Sequence, residues 1–225
     1  MSLHEFPDVI QGSDSWHDQR RGIVTASVVG QFVTAKTLKP ANNETTRALT
    51  AQLVAERITG YTDPTYIGDD MLRGIEDEPR ARDKYAEHYQ RTVTEIGFMV
   101  RDEDGWALGF SPDGLVGDDG LIEVKSRRAK KHLATILADA VPAENLAQCQ
   151  AGLLVSGRKW LDYVSYSGGM PLYVKRVLPD QQWFDAIAAA VTAFEKTAAE
   201  MIERYRDAVV GLPMTERVVE LEMVL

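Results

Sequence analysis

Two short stretches decide the fold of this 225-residue chain: residues 110–114 read Phe-Ser-Pro-Asp-Gly, and residues 121–125 read Leu-Ile-Glu-Val-Lys. A turn rich in Asp and Gly followed by an apolar, β-branched run predicts two strands joined by a tight connection. Side chains alternate along a strand, so Glu123 and Lys125 share one face. The aliphatic residues beside Glu123 point the other way, into a core.

This arrangement predicts a metal site. If the strand that carries Asp113 lies beside Glu123, two carboxylates and the Lys125 ammonium group meet in one small space. The carboxylates repel each other unless a cation lies between them, and oxygen ligands suit Mg²⁺, with Mn²⁺ as the alternative ion. Lys125 is then placed to orient a water molecule or to help deprotonate it. The plainer interpretation is a turn followed by a solvated ion pair, but the buried frame favours the site.

The same residues carry a family resemblance. Ser-Pro-Asp-Gly-Leu at 111–115 and Leu-Ile-Glu-Val-Lys at 121–125 resemble the core of the PD-(D/E)xK nuclease superfamily. The sequence is similar, more closely, to the lambda-exonuclease (YqaJ-like) family of phage recombination nucleases, over most of the range from Gly12 to Tyr166. The resemblance implies an α/β fold: a mixed central β-sheet flanked by α-helices, with a restriction-endonuclease-like core and the site at one end of the sheet.

The N-terminal motif at residues 16–27 reads Trp-His-Asp-Gln-Arg-Arg-Gly-Ile-Val-Thr-Ala-Ser. Ser13 is a suitable cap for a short helix that carries Trp16 and Arg20 on one face, and Thr25 is a suitable cap for a second helix over 26–32. On spacing alone, Arg20 belongs to a solvated helix face.

The resemblance changes that interpretation. The motif is a hallmark of the family, and it implies that Arg20 and Ser27 bind the 5′-phosphate of a DNA end. A guanidinium beside a hydroxyl at a helix start suits a phosphate well. We expect Ser111 to complete this pocket.

A glutamate of the acidic run at residues 76–78 is a further site residue implied by the resemblance. The family pattern Gly-x-x-x-Glu fits Gly74 to Glu78 and implies that Glu78 lies near the metal ions. Glu76 and Asp77 leave the register open. Pro79 departs from the polar residue that the family has at this position.

The helix expected after Pro142 carries Gln148 and Gln150, which point about 200° apart. The resemblance selects Gln148 as the one near the active site. We also expect the Val124 backbone carbonyl to be a metal ligand.

By the same family resemblance, Met71 corresponds to a side chain that wedges into the DNA end, although core packing explains it equally well. The basic residues of 127–131 form either a DNA-contacting patch or an ordinary helix start.

Composition is typical of a globular protein, with 44% hydrophobic and 26% charged residues. We predict one nuclease domain over residues 1–225, with an N-terminal extension at 1–10 and a C-terminal tail at 211–225. The net charge of −9 argues against nonspecific coating of nucleic acid but not against a nuclease with a local DNA channel. The single Cys149 cannot form an internal disulfide, and no membrane span or secretory signal is visible, so we expect a cytoplasmic location.

The function expected from the site and the resemblance is that of a Mg²⁺-dependent 5′-to-3′ exonuclease. It would digest one strand of linear double-stranded DNA during phage-type homologous recombination, in a bacterial cell and encoded by a phage or prophage. Family resemblance also implies a homotrimer and a single-strand annealing protein as partner. The alternatives are an endonuclease of the same superfamily, which would not need Arg20, and a non-catalytic DNA-end-binding protein, which the intact Asp113, Glu123 and Lys125 set argues against.

Overall fold

The computed structural model describes residues 2–64 and 68–217. Its strands are β1 (Ser2–Phe6), β2 (Val24–Thr25), β3 (Val33–Thr34), β4 (Lys39–Pro40), β5 (Val93–Thr94), β6 (Phe98–Glu103), β7 (Trp106–Phe110), β8 (Gly114–Val116), β9 (Gly120–Ser126), β10 (Trp160–Tyr166) and β11 (Tyr173–Val177). Its helices are α1 (Asp14–Arg20), α2 (Glu44–Thr59), α3 (Asp69–Tyr89), α4 (Ala129–Ala138), α5 (Ala143–Ser156) and α6 (Gln181–Ala208).

The strands form two mixed sheets and a small β3–β4 hairpin. One sheet has the order β1-β6-β7-β2, and the other has the order β11-β10-β9-β8-β5. The pairs β2–β7 and β9–β10 are parallel, and the others are antiparallel. The expected mixed β-structure is therefore present, with its strands divided between two hydrogen-bonded sheets. The chain leaves the first sheet after β7 and returns at β8 to the second sheet, which already contains β5, and Pro112 between β7 and β8 has no N–H with which to continue a ladder.

The predicted hairpin at the centre of the chain is present as β8 and β9, with Gly114 opposite Ile122. Only glycine fits at position 114, because a Cβ there would lie 2.4 Å from Cγ1 of Val93. Ile122 and Val124 are buried against Ala81 and Tyr85 of α3. The opposite face of β9, which carries Glu123 and Lys125, is therefore turned towards α5.

Several helix boundaries follow the sequence signals. Ser13 caps α1 by accepting a hydrogen bond from the backbone N–H of Trp16. Gly60 ends α2 with a φ of 62°, the left-handed conformation that glycine adopts without strain. Asp180 caps α6 through the N–H of Gln182 at 2.9 Å. These ends are set by contacts between neighbours in the sequence, which is why they are predictable.

One local expectation was wrong. Thr25 does not cap a helix: it lies in β2, opposite Gly109 of β7, and a short 3₁₀ helix begins only at Val29. The extended conformation is favoured here because Val24 and Thr25 are both β-branched and the neighbouring strand β7 supplies hydrogen-bonding partners. Helix α3 runs without a break from Asp69 through Pro79 to Tyr89.

The chain ends are only partly described. Part of the N-terminal extension, Ser2–Phe6, is a strand that pairs antiparallel with β6. Of the C-terminal tail, residues 211–217 have no helix or strand, and residues 218–225 lie outside the described part. Among the described residues, none of the helices combines the length and the apolar character needed to cross a membrane.

Candidate active site

The crossover between the two sheets positions Asp113. This residue directly precedes β8, and its Oδ2 accepts a hydrogen bond from the backbone N–H of Val124 at 2.6 Å. The bond holds the Asp113 carboxylate against β9, one residue from Glu123. Two carboxylates that are ten residues apart in the sequence therefore meet at one end of the β8–β9 pair.

Glu123 is the buried centre of this group, with 1% of its surface exposed. Its Oε1 accepts two hydrogen bonds of 2.6 Å, one from Nζ of Lys125 and one from Nε2 of Gln148 on α5. Its Oε2 is buried and has no hydrogen-bond partner. A buried, unpaired carboxylate oxygen is costly in free energy, so this atom requires a cation or a further donor. The donor set of Asp113 and Glu123 thus fits a divalent ion.

The charges of the group are strongly coupled. Burial raises the pKa of Asp113 well above its ordinary value, and the charges of Glu123 and Glu78 raise it further. Burial alone would lower the pKa of Lys125, but Glu123 and Asp113 outweigh burial and raise that pKa above its ordinary value. Lys125 is therefore an ammonium group at working pH. Its Nζ forms an ion pair with Oε1 of Glu123 at 2.6 Å.

Glu78 lies close to this group, but its carboxylate points to another partner. Its Oε1 accepts a hydrogen bond of 2.6 Å from Arg82, which also forms an ion pair with Glu95. Burial raises the pKa of Glu78 against the opposing effect of Arg82, and Glu123 adds to the rise. In residues 2–64 and 68–217, no three Asp, Glu, His or Cys side chains gather closely enough to hold a metal ion. Glu78 must turn from Arg82 to become a third ligand.

The neighbours of Glu78 differ from it. Glu76 is exposed, whereas Asp77 is buried and accepts a hydrogen bond from the Ser126 hydroxyl. Met71, about two turns before Glu78 on α3, has 50% of its surface exposed, which contradicts the core-packing interpretation of this residue. Of the two glutamines on α5, only Gln148 contacts Glu123. Gln150 is buried and binds the backbone of Leu178 instead.

A second cluster surrounds Arg20 at the end of α1. Its guanidinium donates to the hydroxyls of Ser111 (3.3 Å), Ser27 (3.3 Å) and Thr25 (3.4 Å). The guanidinium carbon also lies 4.0 Å from the ring centroid of Trp16. The structure therefore brings Arg20, Ser27 and Ser111 together. It adds Thr25, which the sequence analysis assigned to a helix cap and not to the pocket.

The environment of Arg20 is that of an anion site. Burial lowers the pKa of Arg20 to about 10, and the charge of Glu56 only partly offsets this effect. Within the described residues Arg20 makes no ion pair with a carboxylate, so its charge is balanced mainly by hydroxyl dipoles. Arg20 is half-buried, and a partly desolvated cation without a close counter-ion favours an anionic ligand. Ser111, in this cluster, is two residues from Asp113, so the two clusters adjoin.

The basic stretch after β9 is not a uniform surface patch. Arg127 is largely buried and hydrogen bonds to Asn145 and Tyr163. Arg128 is exposed and forms an ion pair with Asp70 at 2.9 Å. Lys130 and Lys131 are exposed on the first turn of α4. The two lysines are therefore the exposed basic residues of this stretch that form no ion pair within the described part of the chain, and DNA contact by the stretch stays a prediction.

Comparisons with known proteins agree with this architecture. The pattern of the YqaJ-like viral recombinase domain matches residues 15–159, more than half of the chain. The crystal structure of an alkaline exonuclease (LHK-Exo) from Laribacter hongkongensis has a TM-score of 0.79 and 32% identity, covering 89% of this chain and 100% of that chain. The same exonuclease in complex with dAMP has a TM-score of 0.78, again at 32% identity with the same coverage.

A more distant solved structure supports the fold alone. A phage related exonuclease from Haemophilus somnus 129PT has a TM-score of 0.66 at 13% identity, covering 81% of this chain and 96% of that chain. No curated protein gave a significant match. The predicted α/β fold with a restriction-endonuclease-like core is confirmed.

Proposed function

Because this chain belongs to the family of YqaJ-like viral recombinase domains, we propose that it digests one strand of linear double-stranded DNA from the 5′ end, with Mg²⁺ as cofactor. The chain is a phage-type exodeoxyribonuclease, a hydrolase of phosphodiester bonds. The strand polarity, the ion and the residue roles form the proposal.

Each residue of the group around Glu123 has a role in this proposal. Asp113 and Glu123 hold the metal ions, together with the Val124 carbonyl and with Glu78 once it has turned from Arg82. Bound divalent ions would supply an activated water and neutralise charge on the leaving oxygen. Lys125 positions the attacking water and offsets negative charge that develops on the phosphate, and it does so as a permanent cation. Gln148 fixes the orientation of Glu123.

One observation carries the 5′ polarity: the half-buried Arg20 guanidinium donates to three hydroxyl groups and has no carboxylate partner in the described chain. A terminal phosphate carries more negative charge than an internal diester and has more free oxygens, so a guanidinium fork discriminates it. Ser111 belongs to this pocket and lies two residues from Asp113. A phosphate held by Arg20 would therefore place the adjacent phosphodiester bond at the carboxylates.

The test compares 5′-phosphorylated with 5′-hydroxyl linear duplexes, and both with closed circular DNA, in Mg²⁺ at one salt concentration. The wild type should prefer the phosphorylated end and leave the circle intact. Arg20→Ala should reduce the preference by about tenfold, since a hydrogen bond to a charged group is worth roughly 1.5–3 kcal/mol. Arg20→Lys should recover only part of it, because lysine keeps the charge but loses the fork.

Arg21→Ala is the matched control, because Arg21 forms an ion pair with Asp18 at the surface and has no contact with the pocket hydroxyls. It should leave the preference unchanged. Cleavage of the circle would favour an endonuclease, and equal phosphate preference in wild type and Arg20→Ala would refute the pocket.

We also propose the assembly and location that the family resemblance implies: a homotrimer that encloses DNA, a single-strand annealing partner, and action in the cytoplasm of a bacterial host. Light scattering of the purified protein measures the subunit number directly. A monomeric mass at working concentration would contradict the trimer without affecting the cleavage assignment.

A further inference from the structure

The three consecutive acidic residues on α3 have three different environments. Glu76 is exposed, and Glu78 is half-buried beside the carboxylate cluster. Asp77 is the most buried of the three, with 9% of its surface exposed, yet it is not part of the proposed ligand set. A buried carboxylate is retained only where specific hydrogen bonds offset the loss of hydration.

The partner of Asp77 is the last residue of the catalytic strand. The hydroxyl of Ser126 donates to Oδ2 of Asp77 at 2.7 Å, and Nε of Arg73 donates to the same hydroxyl at 3.1 Å. Arg80 donates to Oδ1 of Asp77 at 3.1 Å. One side of α3 is thus fastened to the end of β9.

A second contact lies about two turns further towards the start of α3. Asp70 accepts hydrogen bonds from Arg73 at 2.7 Å and from Arg128, the residue that caps α4, at 2.9 Å. Both of these contacts are exposed, so they are worth little by themselves. The buried Asp77–Ser126 hydrogen bond is therefore the dominant polar tether between α3 and β9.

This tether joins two residues that each neighbour a site residue. Ser126 follows Lys125 on β9, and Asp77 precedes Glu78 on α3. Successive helical residues point about 100° apart, so a bond that fixes the direction of Asp77 also fixes the direction in which Glu78 leaves the helix. A small rotation of α3 would move the Glu78 carboxylate relative to Glu123.

We propose that Asp77 is a positioning residue that acts through Glu78: its hydrogen bond to Ser126 sets the rotation of α3 against β9 and so places the third carboxylate of the metal site. The inference rests on the proposed role of Glu78 as a metal ligand. Asp77 itself is outside the proposed ligand set, because both of its carboxylate oxygens are held by Ser126 and Arg80. The competing explanation is that the tether stabilises the fold alone.

The experiment measures the affinity for Ca²⁺ by calorimetry without DNA, the Mg²⁺ concentration that gives half-maximal cleavage, and the melting temperature. Asp77→Ala and Ser126→Ala should each weaken Ca²⁺ binding and raise the half-maximal Mg²⁺ concentration by about tenfold, the value of one hydrogen bond to a charged group. Asp77→Asn should restore both values, because the amide oxygen still accepts from Ser126. Glu76→Ala removes the same charge from the neighbouring exposed position and should change neither.

A second set of variants, made in the Glu78→Gln protein, distinguishes a positioning role of Asp77 from a general effect on stability. In Glu78→Gln, the further change Asp77→Ala should have no additional effect on Ca²⁺ affinity, because the group that it positions is gone. An equal loss of affinity in both backgrounds would overturn the proposal, as would a lower melting temperature with unchanged metal affinity. If Glu78→Gln alone leaves metal affinity unchanged, the metal-ligand role of Glu78 fails. If Glu78→Gln weakens binding and Asp77→Ala does not, only the positioning role fails.

Discussion

Gln148 donates a hydrogen bond from Nε2 to Oε1 of Glu123 over 2.6 Å, and this bond ties helix α5 to strand β9 at the candidate centre. Lys125 donates to the same oxygen, so Oε1 is occupied by two donors while Oε2 has none. The two oxygens of one carboxylate thus have different environments. We infer that the protein fixes Oε1 and presents Oε2 to a cation, as outer partners do for metal-ligating carboxylates.

Gln148→Ala should therefore lower the cleavage rate about tenfold with little change in melting temperature, since one hydrogen bond to a charged group is lost. Gln150→Ala is the contrasting variant. Gln150 bridges the backbone of Leu178 and Asp180, so its loss should lower the melting temperature and leave the rate per folded molecule unchanged. Cleavage rates on a linear duplex and melting curves of both variants test these two roles. If Gln150→Ala lowered the cleavage rate and Gln148→Ala lowered the melting temperature, the assignment of Gln148 to the site would be contradicted.

Lys125→Ala should abolish detectable cleavage while the protein keeps its fold and still binds Mn²⁺. Lys125 contributes positive charge and no metal ligand, and its ammonium group is paired with Glu123 at 2.6 Å. Because Glu123 and Asp113 raise its pKa, Lys125 should not limit activity by losing its proton below about pH 10. Calorimetric Mn²⁺ binding and a rate–pH profile test both parts. Turnover near the wild-type value would show that the catalytic role of Lys125 is wrong.

Asp113→Asn should raise the melting temperature in EDTA at neutral pH. Burial and the neighbouring carboxylates raise the folded-state pKa of Asp113, so the folded protein binds its proton more tightly than the unfolded chain. The resulting stabilisation is present below the unfolded pKa of about 3.9 and is lost as pH rises towards the folded pKa. Above both values the charged form weakens folding, and each 1 kcal/mol relieved by asparagine corresponds to about 2–4 °C.

Melting curves in EDTA from pH 4 to pH 8 measure this effect. The advantage of Asp113→Asn should shrink towards pH 4 and should also shrink when Mg²⁺ offsets the repulsion in the wild type. Glu123→Ala should behave in the opposite way and lower the melting temperature, because it leaves the Lys125 ammonium group without its partner. A destabilised Asp113→Asn at pH 7 would contradict the repulsion argument.

The elements that the sequence predicts well are those set by near neighbours. The β8–β9 hairpin follows from a turn and an apolar run within 17 positions, 110–126, and helix ends such as Gly60 follow from one residue. Asp113, Glu123 and Lys125 could be proposed together because they lie on this one hairpin. Their proximity in the structure follows from strand pairing, while their catalytic roles stay predictions.

Features that depend on distant parts of the chain were not predictable. The division of the strands into two sheets depends on how β6 and β7 pair with the N-terminal strands, which no local pattern specifies. Thr25 was placed in a helix because its partner, Gly109, is 84 positions away. The side of α3 that meets Ser126 determines the burial and the partners of Glu76, Asp77 and Glu78. One acidic run contains no information on that rotation.

Gly22→Ala should destabilise the fold and weaken the 5′-phosphate preference together. Gly22 has a φ of +68°, and a Cβ there would lie 2.4 Å from Cγ of Arg57. Its N–H donates to Glu56 at 2.8 Å, and its carbonyl accepts from Arg57, which also pairs with Glu195 at 2.7 Å. The left-handed conformation costs an alanine about 1–2 kcal/mol, and displacing Arg57 adds to this cost.

Gly12→Ala is the matched control for this prediction. Gly12 has a φ of +83°, but no atom lies within 4 Å of its added Cβ, so it isolates the conformational cost from the clash. Gly22→Ala should therefore melt lower than Gly12→Ala, and each 1 kcal/mol of extra cost corresponds to about 2–4 °C. Because Gly22 lies between Arg20 and the hydroxyls of Thr25 and Ser27, only Gly22→Ala should reduce the rate ratio of phosphorylated to unphosphorylated ends. Equal melting temperatures and equal ratios for the two variants would show that the contact between Gly22 and Arg57 does not shape the pocket.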